Sequence, residues 1–118
     1  MKKMAFMLAA AVLMLSVAAR AEEKTADDNL KVMSYNIRLG SANDGTNSWH
    51  MRYAATAEMI EDQKPDVFGV QEALDYQINF IQENFTDYKS VGVGRENGKK
   101  EGEHMSIFWN KKTVSMIK

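Results

Sequence analysis

Apolar positions recur along the chain at two spacings, and the spacing predicts which segments are strands and which are helices. From Leu30 to Arg38, Val32, Ser34 and Asn36 fall on one face and Met33, Tyr35 and Ile37 on the other. A period of two predicts a strand, and two largely apolar faces predict a central strand covered on both sides. Trp49, Tyr53, Ala57 and Ile60 then recur at steps of four, four and three, the stripe of an amphipathic helix. Asn47 or Ser48 can cap that helix. Lys64 should end it, because a residue before proline avoids the helical region. Val67 to Val70 is an unbroken apolar run opened by Pro65, which predicts a fully buried strand. Leu74, Ile78, Ile81 and Phe85 repeat at four, three and four, so a second helix should follow Glu72 almost at once.

The rest of the chain predicts further strands. Tyr88 to Val93 is the third, and the charged, glycine-bounded stretch from Arg95 to Gly102 is a hairpin connection. His104 to Trp109 is a fourth strand, Asn110-Lys111-Lys112 a turn, and Thr113 to Ile117 the start of a fifth. Strand–helix–strand followed by hairpin strands predicts an α/β fold with a mixed sheet.

Composition narrows the function classes. With 118 residues and a formal net charge of −1, the chain is one domain at most, and no strong field favours nucleic acid or a membrane surface. The absence of cysteine excludes disulfides, thiolate metal sites and a cysteine nucleophile. Any metal would then be an oxygen-ligated cation, since His50 and His104 are the only imidazoles. Met1-Lys2-Lys3, the apolar run from Met4 to Ala19 and the small-x-small Ala19-Arg20-Ala21 predict a signal peptide over 1–21, cleaved after Ala21. The run is short for a spanning helix. A polar lead-in over 22–29 should follow, and the expected destination is secreted or periplasmic, without a stable membrane anchor.

Chemistry concentrates where strands end. An unpaired carboxylate is strongly disfavoured inside a buried strand. Glu72 must therefore sit in water at the strand's mouth, pair with a cation, or bind a metal. Its bland reading is an acid at a helix N-terminus, stabilised by the macrodipole. Asn36 ends the first strand, where a turn-forming asparagine is ordinary. Two neighbouring strands that aim an amide oxygen and a carboxylate at one rim would make a hard-cation site. The turn formers from Gly40 to Ser48 form a loop at that mouth.

Met33-Ser34-Tyr35-Asn36-Ile37-Arg38, then Pro65-Asp66-Val67-Phe68-Gly69-Val70-Gln71-Glu72, then Gly102-Glu103-His104-Met105-Ser106-Ile107-Phe108-Trp109 resemble the first three blocks of the endonuclease/exonuclease/phosphatase superfamily, the DNase I-like metal-dependent phosphoesterases. The resemblance covers Leu30 to about Ile117. It implies a two-sheet α/β sandwich with helices on the outside, of which 30–118 would be the N-terminal half. It further implies a hydrolase that attacks a phosphate mono- or diester with a metal-activated water. Glu72 and Asn36 would hold Mg²⁺ or Mn²⁺, and Asn36 and Arg95 would contact the substrate phosphate. Glu103 would orient a catalytic histidine that is not in this sequence. His104 alternates to the other face and is not counted, while Arg38 and Arg52 should pair with acids near the rim. For Arg95 and Glu103 the plain alternative is a solvated surface charge.

No aspartate follows Glu103, so the superfamily's Asp-x-Asn and Asp-His blocks, which come after these three, do not occur here. The second reading is accordingly a non-catalytic truncated fragment or a cation-binding remnant. Substrate identity and oligomeric state stay open, with nucleic acid a possible but not favoured partner.

Overall fold

The four strands and two helices among the described residues follow the predicted order, with ends set by pairing and turn chemistry. The computed structural model describes residues 29–118. The signal-peptide reading, and with it the lead-in up to Asp28, lies outside the described residues. The elements are β1 (Val32–Asn36), a single 3₁₀ turn (Gly45–Asn47), α1 (Trp49–Gln63), β2 (Val67–Gln71), α2 (Asp75–Asn84), β3 (Tyr88–Val91) and β4 (Ile107–Asn110). The sheet order is β1-β2-β4-β3, with β1 parallel to β2 and the other pairs antiparallel.

The helices stop and start where backbone chemistry demands. Lys64 takes a left-handed conformation (φ 43°) and donates its N–H to Ile60 O, so α1 ends there and Pro65 opens the next strand. Ser48, in the N-cap position of α1, makes no side-chain cap; its hydroxyl donates instead to Gly45 O at 2.7 Å. At α2 the Gln77 side chain reaches back to accept from Leu74 N–H at 2.9 Å. That oxygen satisfies one of the N–H donors that a helix start leaves orphaned.

Both helices cover the same face of the sheet. Ile60 from α1 and Ile81 from α2 are buried together with Phe68, Val70, Tyr88 and Phe108 from the strands. Phe68 and Phe108 are direct partners across β2 and β4, and their rings stack 4.9 Å apart. Trp49 and Tyr53 meet Phe80 edge-on at 5.3 and 5.5 Å, joining α1 to α2. Aromatic pairs at these separations add about 0.5–1.5 kcal/mol each beyond the area they bury.

Several sequence expectations need correction. β1 is an edge strand, not a central one, because β2 flanks it on one side only. Its outer-face residues Val32, Ser34 and Asn36 are exposed, since no described element covers that side of the sheet. The same holds along the sheet: β2 buries only alternate residues, Phe68 and Val70, and Val91 and Ile107 are about half exposed, at 51% and 49%. β3 stops at Val91 because Gly92 (φ 153°) turns the chain, so Val93 is not in the strand. β4 begins at Ile107, not His104; His104 instead makes isolated bridges to Ala73 and Gly94.

No strand forms from Thr113 to Ile117. The N–H groups of Thr113 and Val114 both turn back onto Asn110 O at 3.1 and 2.9 Å, and the Thr113 hydroxyl donates to Asp66 Oδ1 at 2.6 Å. Those bonds close a turn and tie it to the start of β2. The expected hairpin between 95 and 102 does form. Asn97 Oδ1 accepts from the N–H groups of Lys99 and Glu101, and Glu96 N–H donates to Glu101 O.

Candidate functional site

Register brings the two strand ends together. Asn36 is the last residue of β1 and lies opposite Gln71, the last of β2, so the residue that follows, Glu72, emerges beside it. In open α/β sheets this carboxyl-end rim is where ligands bind. Glu72 has φ 61°, a left-handed conformation that a non-glycine residue adopts at a cost of order 1–3 kcal/mol. The bend turns its carboxylate back toward β1. There Asn36 Nδ2 donates to Glu72 Oε1 at 2.9 Å, and Leu39 N–H donates to Glu72 Oε2 at 3.3 Å.

Asn36 thus faces Glu72 with its amide nitrogen. Its oxygen accepts from Arg38 N–H at 2.9 Å. The asparagine fixes the carboxylate's orientation without adding charge. The same bond from Asn36, then the Leu39 N–H, and more weakly the Arg38 charge, hold the Glu72 carboxyl below the usual carboxylate range. Half-buried and ionised, it keeps lone pairs free on both oxygens. An oxygen donor held charged at a wet rim suits a hard cation that retains most of its waters. Among the described residues no group of three or more His, Cys, Asp or Glu side chains is gathered as a metal site. Among the described residues, Glu72 is the carboxylate that the Asn36 and Leu39 bonds aim at this rim.

The two arginines part company. Arg38 makes a two-pronged pair with Asp44, Nε to Oδ2 and Nη2 to Oδ1, both 2.9 Å. That pairing pulls Asp44 down and raises Arg38. Arg52, expected to pair with an acid, bonds to carbonyls instead: Asn47 O at 2.9 Å, Ile37 O at 2.5 Å and Arg38 O at 3.1 Å. Its guanidinium carbon also lies 5.3 Å from the Trp49 ring centroid. Three carbonyls converge there because the chain leaving β1 curls around the first turn of α1, which sequence spacing does not reveal.

The hairpin brings the remaining candidates to the same rim. His104 N–H donates to Ala73 O at 2.6 Å, and His104 also bridges to Gly94. Glu103 and Arg95 are the chain neighbours of those bridging residues, as Glu72 is of Ala73. Arg95 Nη1 lies 3.4 Å from Glu103 Oε2, an exposed pair that contributes little stability. Glu103 does not begin a strand, since β4 starts four residues on. His104 is buried on the core side, with Nδ1 3.3 Å from Ala73 O and Nε2 4.0 Å from Asp75.

Gln77 is the residue that sequence reasoning missed. It is fully buried, and its Oε1 accepts from both Gly40 N–H and Leu74 N–H at 2.9 Å while Nε2 donates to Arg38 O at 2.9 Å. A glutamine three residues after Leu74 and next to Ile78, inside an apolar stripe, was the available signal.

No protein-family model matches the chain, and no curated protein does. Solved structures do. An endonuclease/exonuclease/phosphatase from Bacteroides vulgatus superposes with TM-score 0.72 at 29% identity, over 75% of this chain and 34% of that one. A family protein from Bacteroides thetaiotaomicron gives 0.70 at 34% identity, over 75% and 32%. A mannosyl-6-phosphatase from Bacteroides thetaiotaomicron gives 0.70 at 34% identity, over 76% and 34%. The class the fold defines is therefore α/β and DNase I-like. Within that class, the chain carries the fold of endonuclease/exonuclease/phosphatase family proteins, as the three sequence blocks implied. It spans about a third of the length of those structures, consistent with an N-terminal part.

Proposed function

We propose that this chain supplies the metal-and-phosphate corner of a secreted or periplasmic phosphoesterase that hydrolyses a phosphate ester with water. The observation that carries the reading is the ionised Glu72 carboxylate, turned by a left-handed backbone onto Asn36 at the rim of two parallel strands. Bound there, Mg²⁺ or Mn²⁺ would neutralise charge that develops on the phosphoryl group and make an attacking water more acidic.

The chain's own residues do the rest of the positioning. Glu72 would hold the cation through the oxygen lone pairs that its two hydrogen bonds leave free, while Asn36 keeps that carboxylate from rotating. Arg95, three-quarters exposed on the neighbouring hairpin and 3.4 Å from Glu103, would contact a phosphate oxygen. A positioned general base contributes about 100- to 10,000-fold in rate. The Asp-His pair that the resemblance assigns to this task is not in the sequence. Catalysis therefore needs residues beyond these.

A sugar phosphate is the substrate class we favour over nucleic acid. The likeness to a mannosyl-6-phosphatase supports it, and so does the near-neutral charge, since affinity for a phosphate backbone comes from many lysine and arginine contacts. The second reading, a cation-binding polypeptide without activity, draws on the lack of any cluster of three or more acidic, histidine or cysteine side chains among the described residues. The test is Mg²⁺-dependent release of phosphate from mannose 6-phosphate by the longest natural polypeptide containing this chain, compared with Glu72→Gln. Loss of at least 100-fold in the variant is expected if the charge stabilisation assigned to the metal is real. Undiminished activity would overturn the assignment.

A further inference from the structure

The peptide unit between Arg38 and Leu39 is gripped at both ends. Its N–H donates to Glu72 Oε2 at 3.3 Å. Its carbonyl accepts from Gln77 Nε2 at 2.9 Å and from Arg52 Nη2 at 3.1 Å. A peptide unit is planar, so fixing the direction of its carbonyl fixes the direction of its N–H. Arg38 itself sits at φ 61°, a conformation that side-chain-bearing residues keep only when surrounding bonds impose it.

We propose that Gln77 is a positioning residue for the Glu72 site: buried beneath the rim, its amide clamps the Arg38–Leu39 peptide so that the Leu39 N–H points at the carboxylate. The inference rests on the cation role assigned to Glu72 above. Three features make Gln77 suited to the task. Every polar atom of its amide is engaged, with two acceptor bonds at the oxygen and a donor bond at the nitrogen. Those bonds tie together the loop leaving β1, through Arg38 and Gly40, and the turn leading into α2, through Leu74. Glu72 lies on that turn. And Gln77 has no solvent exposure, so the clamp cannot exchange its bonds for water without opening the core.

A group that orients a metal ligand through an intervening atom acts as outer-shell partners do, whose loss weakens metal affinity by about 10- to 100-fold. Gly40 shows how closely the clamp is built. A Cβ on Gly40 would lie 2.8 Å from the Gln77 amide carbon, so the loop must pass within contact of the glutamine.

Two measurements on the full chain test this. The first titrates Mn²⁺ by electron paramagnetic resonance into the wild type, Gln77→Met and Glu72→Gln. The second follows exchange of the Leu39 amide hydrogen in metal-free protein. Gln77→Met keeps the side chain's length and removes all of its bonds. The expected result is about tenfold weaker Mn²⁺ binding in Gln77→Met, loss of binding in Glu72→Gln, and faster Leu39 exchange in Gln77→Met while the melt stays cooperative. Wild-type affinity in Gln77→Met, with binding lost in Glu72→Gln, would overturn the positioning role and leave the cation site standing. No Mn²⁺ binding in the wild type, or equal binding in Glu72→Gln, would overturn the cation role; unchanged Leu39 exchange would then remove the clamp as well. Should Gln77→Met fail to fold, the wild type decides alone. The Gln77 side-chain amide signals should shift with the same Mg²⁺ midpoint as the Leu39 amide, and a silent Gln77 beside a responding Leu39 would sink the proposal.

Discussion

Asn36 and Glu72 lie 36 residues apart in sequence, yet the amide nitrogen of one is 2.9 Å from a carboxylate oxygen of the other. The bond exists because β1 and β2 are parallel and end in register, so a helix-length crossover returns the chain to the same rim. It gives Asn36 the task of orienting an acid. Asn36→Ala should let the Glu72 carboxyl titrate closer to its ordinary range and weaken Mn²⁺ binding about tenfold. Carboxyl-carbon NMR and a Mn²⁺ titration read the two effects separately; an unmoved Glu72 would show that the bond has no consequence in solution.

The left-handed backbone at Glu72 separates fold from function at one position. Glu72→Gly and Glu72→Ala both remove the carboxylate, but only glycine accepts φ 61° without steric cost. Glu72→Gly should be more stable than Glu72→Ala by about 1 kcal/mol, and neither should respond to Mg²⁺. Urea melts of the two variants side by side make the comparison.

Acid should unfold the chain through three carboxylates. Asp44 is held down by Arg38, Asp66 by the Thr113 hydroxyl and the Lys31 N–H, and Glu72 by Asn36 and the Leu39 N–H. Each folded-state value lies below the unfolded one. Their contribution is therefore complete above the unfolded range, near pH 4, and is lost as pH falls through the lower folded values. Urea midpoints should hold from pH 7 to about 5 and drop below about 4. Asp66→Asn should flatten that drop. An equally steep fall in Asp66→Asn would mean that the turn at Thr113 contributes nothing through its charge.

The stacked Phe68–Phe108 pair sits where both helices meet the sheet, with neither ring exposed. Phe68→Ala should cost about 3–5 kcal/mol, a large part of what a small domain has, while Phe68→Leu should cost much less. Circular dichroism melts measure both. A Phe68→Ala variant that melts like the wild type would place the core elsewhere.

Saturation with Mg²⁺ at about 100 times its dissociation constant should raise stability by about 2.7 kcal/mol if the cation binds only the folded chain. Glu72→Gln should abolish the increase.

Local pattern made much of this legible in the sequence. The steps through Trp49 and Ile60 and through Leu74 and Ile81 mark real helices, and the run before Glu72 marks a real strand, because those periods are properties of short segments. Sheet order is not. That β1 lies at an edge and that β4 enters between β2 and β3 depends on partners far away in sequence, so local pattern does not fix the faces and strand ends. The supposed strand after Thr113 has the right composition but finds a hydrogen-bonded turn instead. Gln77 carries no local signal of its role, and Arg52 was expected to pair with acids, for a related reason: their partners are backbone carbonyls and N–H groups, which every residue carries and no sequence motif distinguishes. Glu72 and Asn36 stand out by their place at two strand ends, whereas Arg95 and Glu103 come from the resemblance, and the geometry adds which atoms face which.

The bare side of the sheet has a consequence for handling the chain in water. Val32, Val91 and Ile107 present apolar surface there with no described element over it. Attraction between such surfaces is driven by the release of water and weakens on cooling. Copies of the chain should thus cling to one another more on gentle warming than in the cold, well short of unfolding, and turbidity that clears on ice would be its signature.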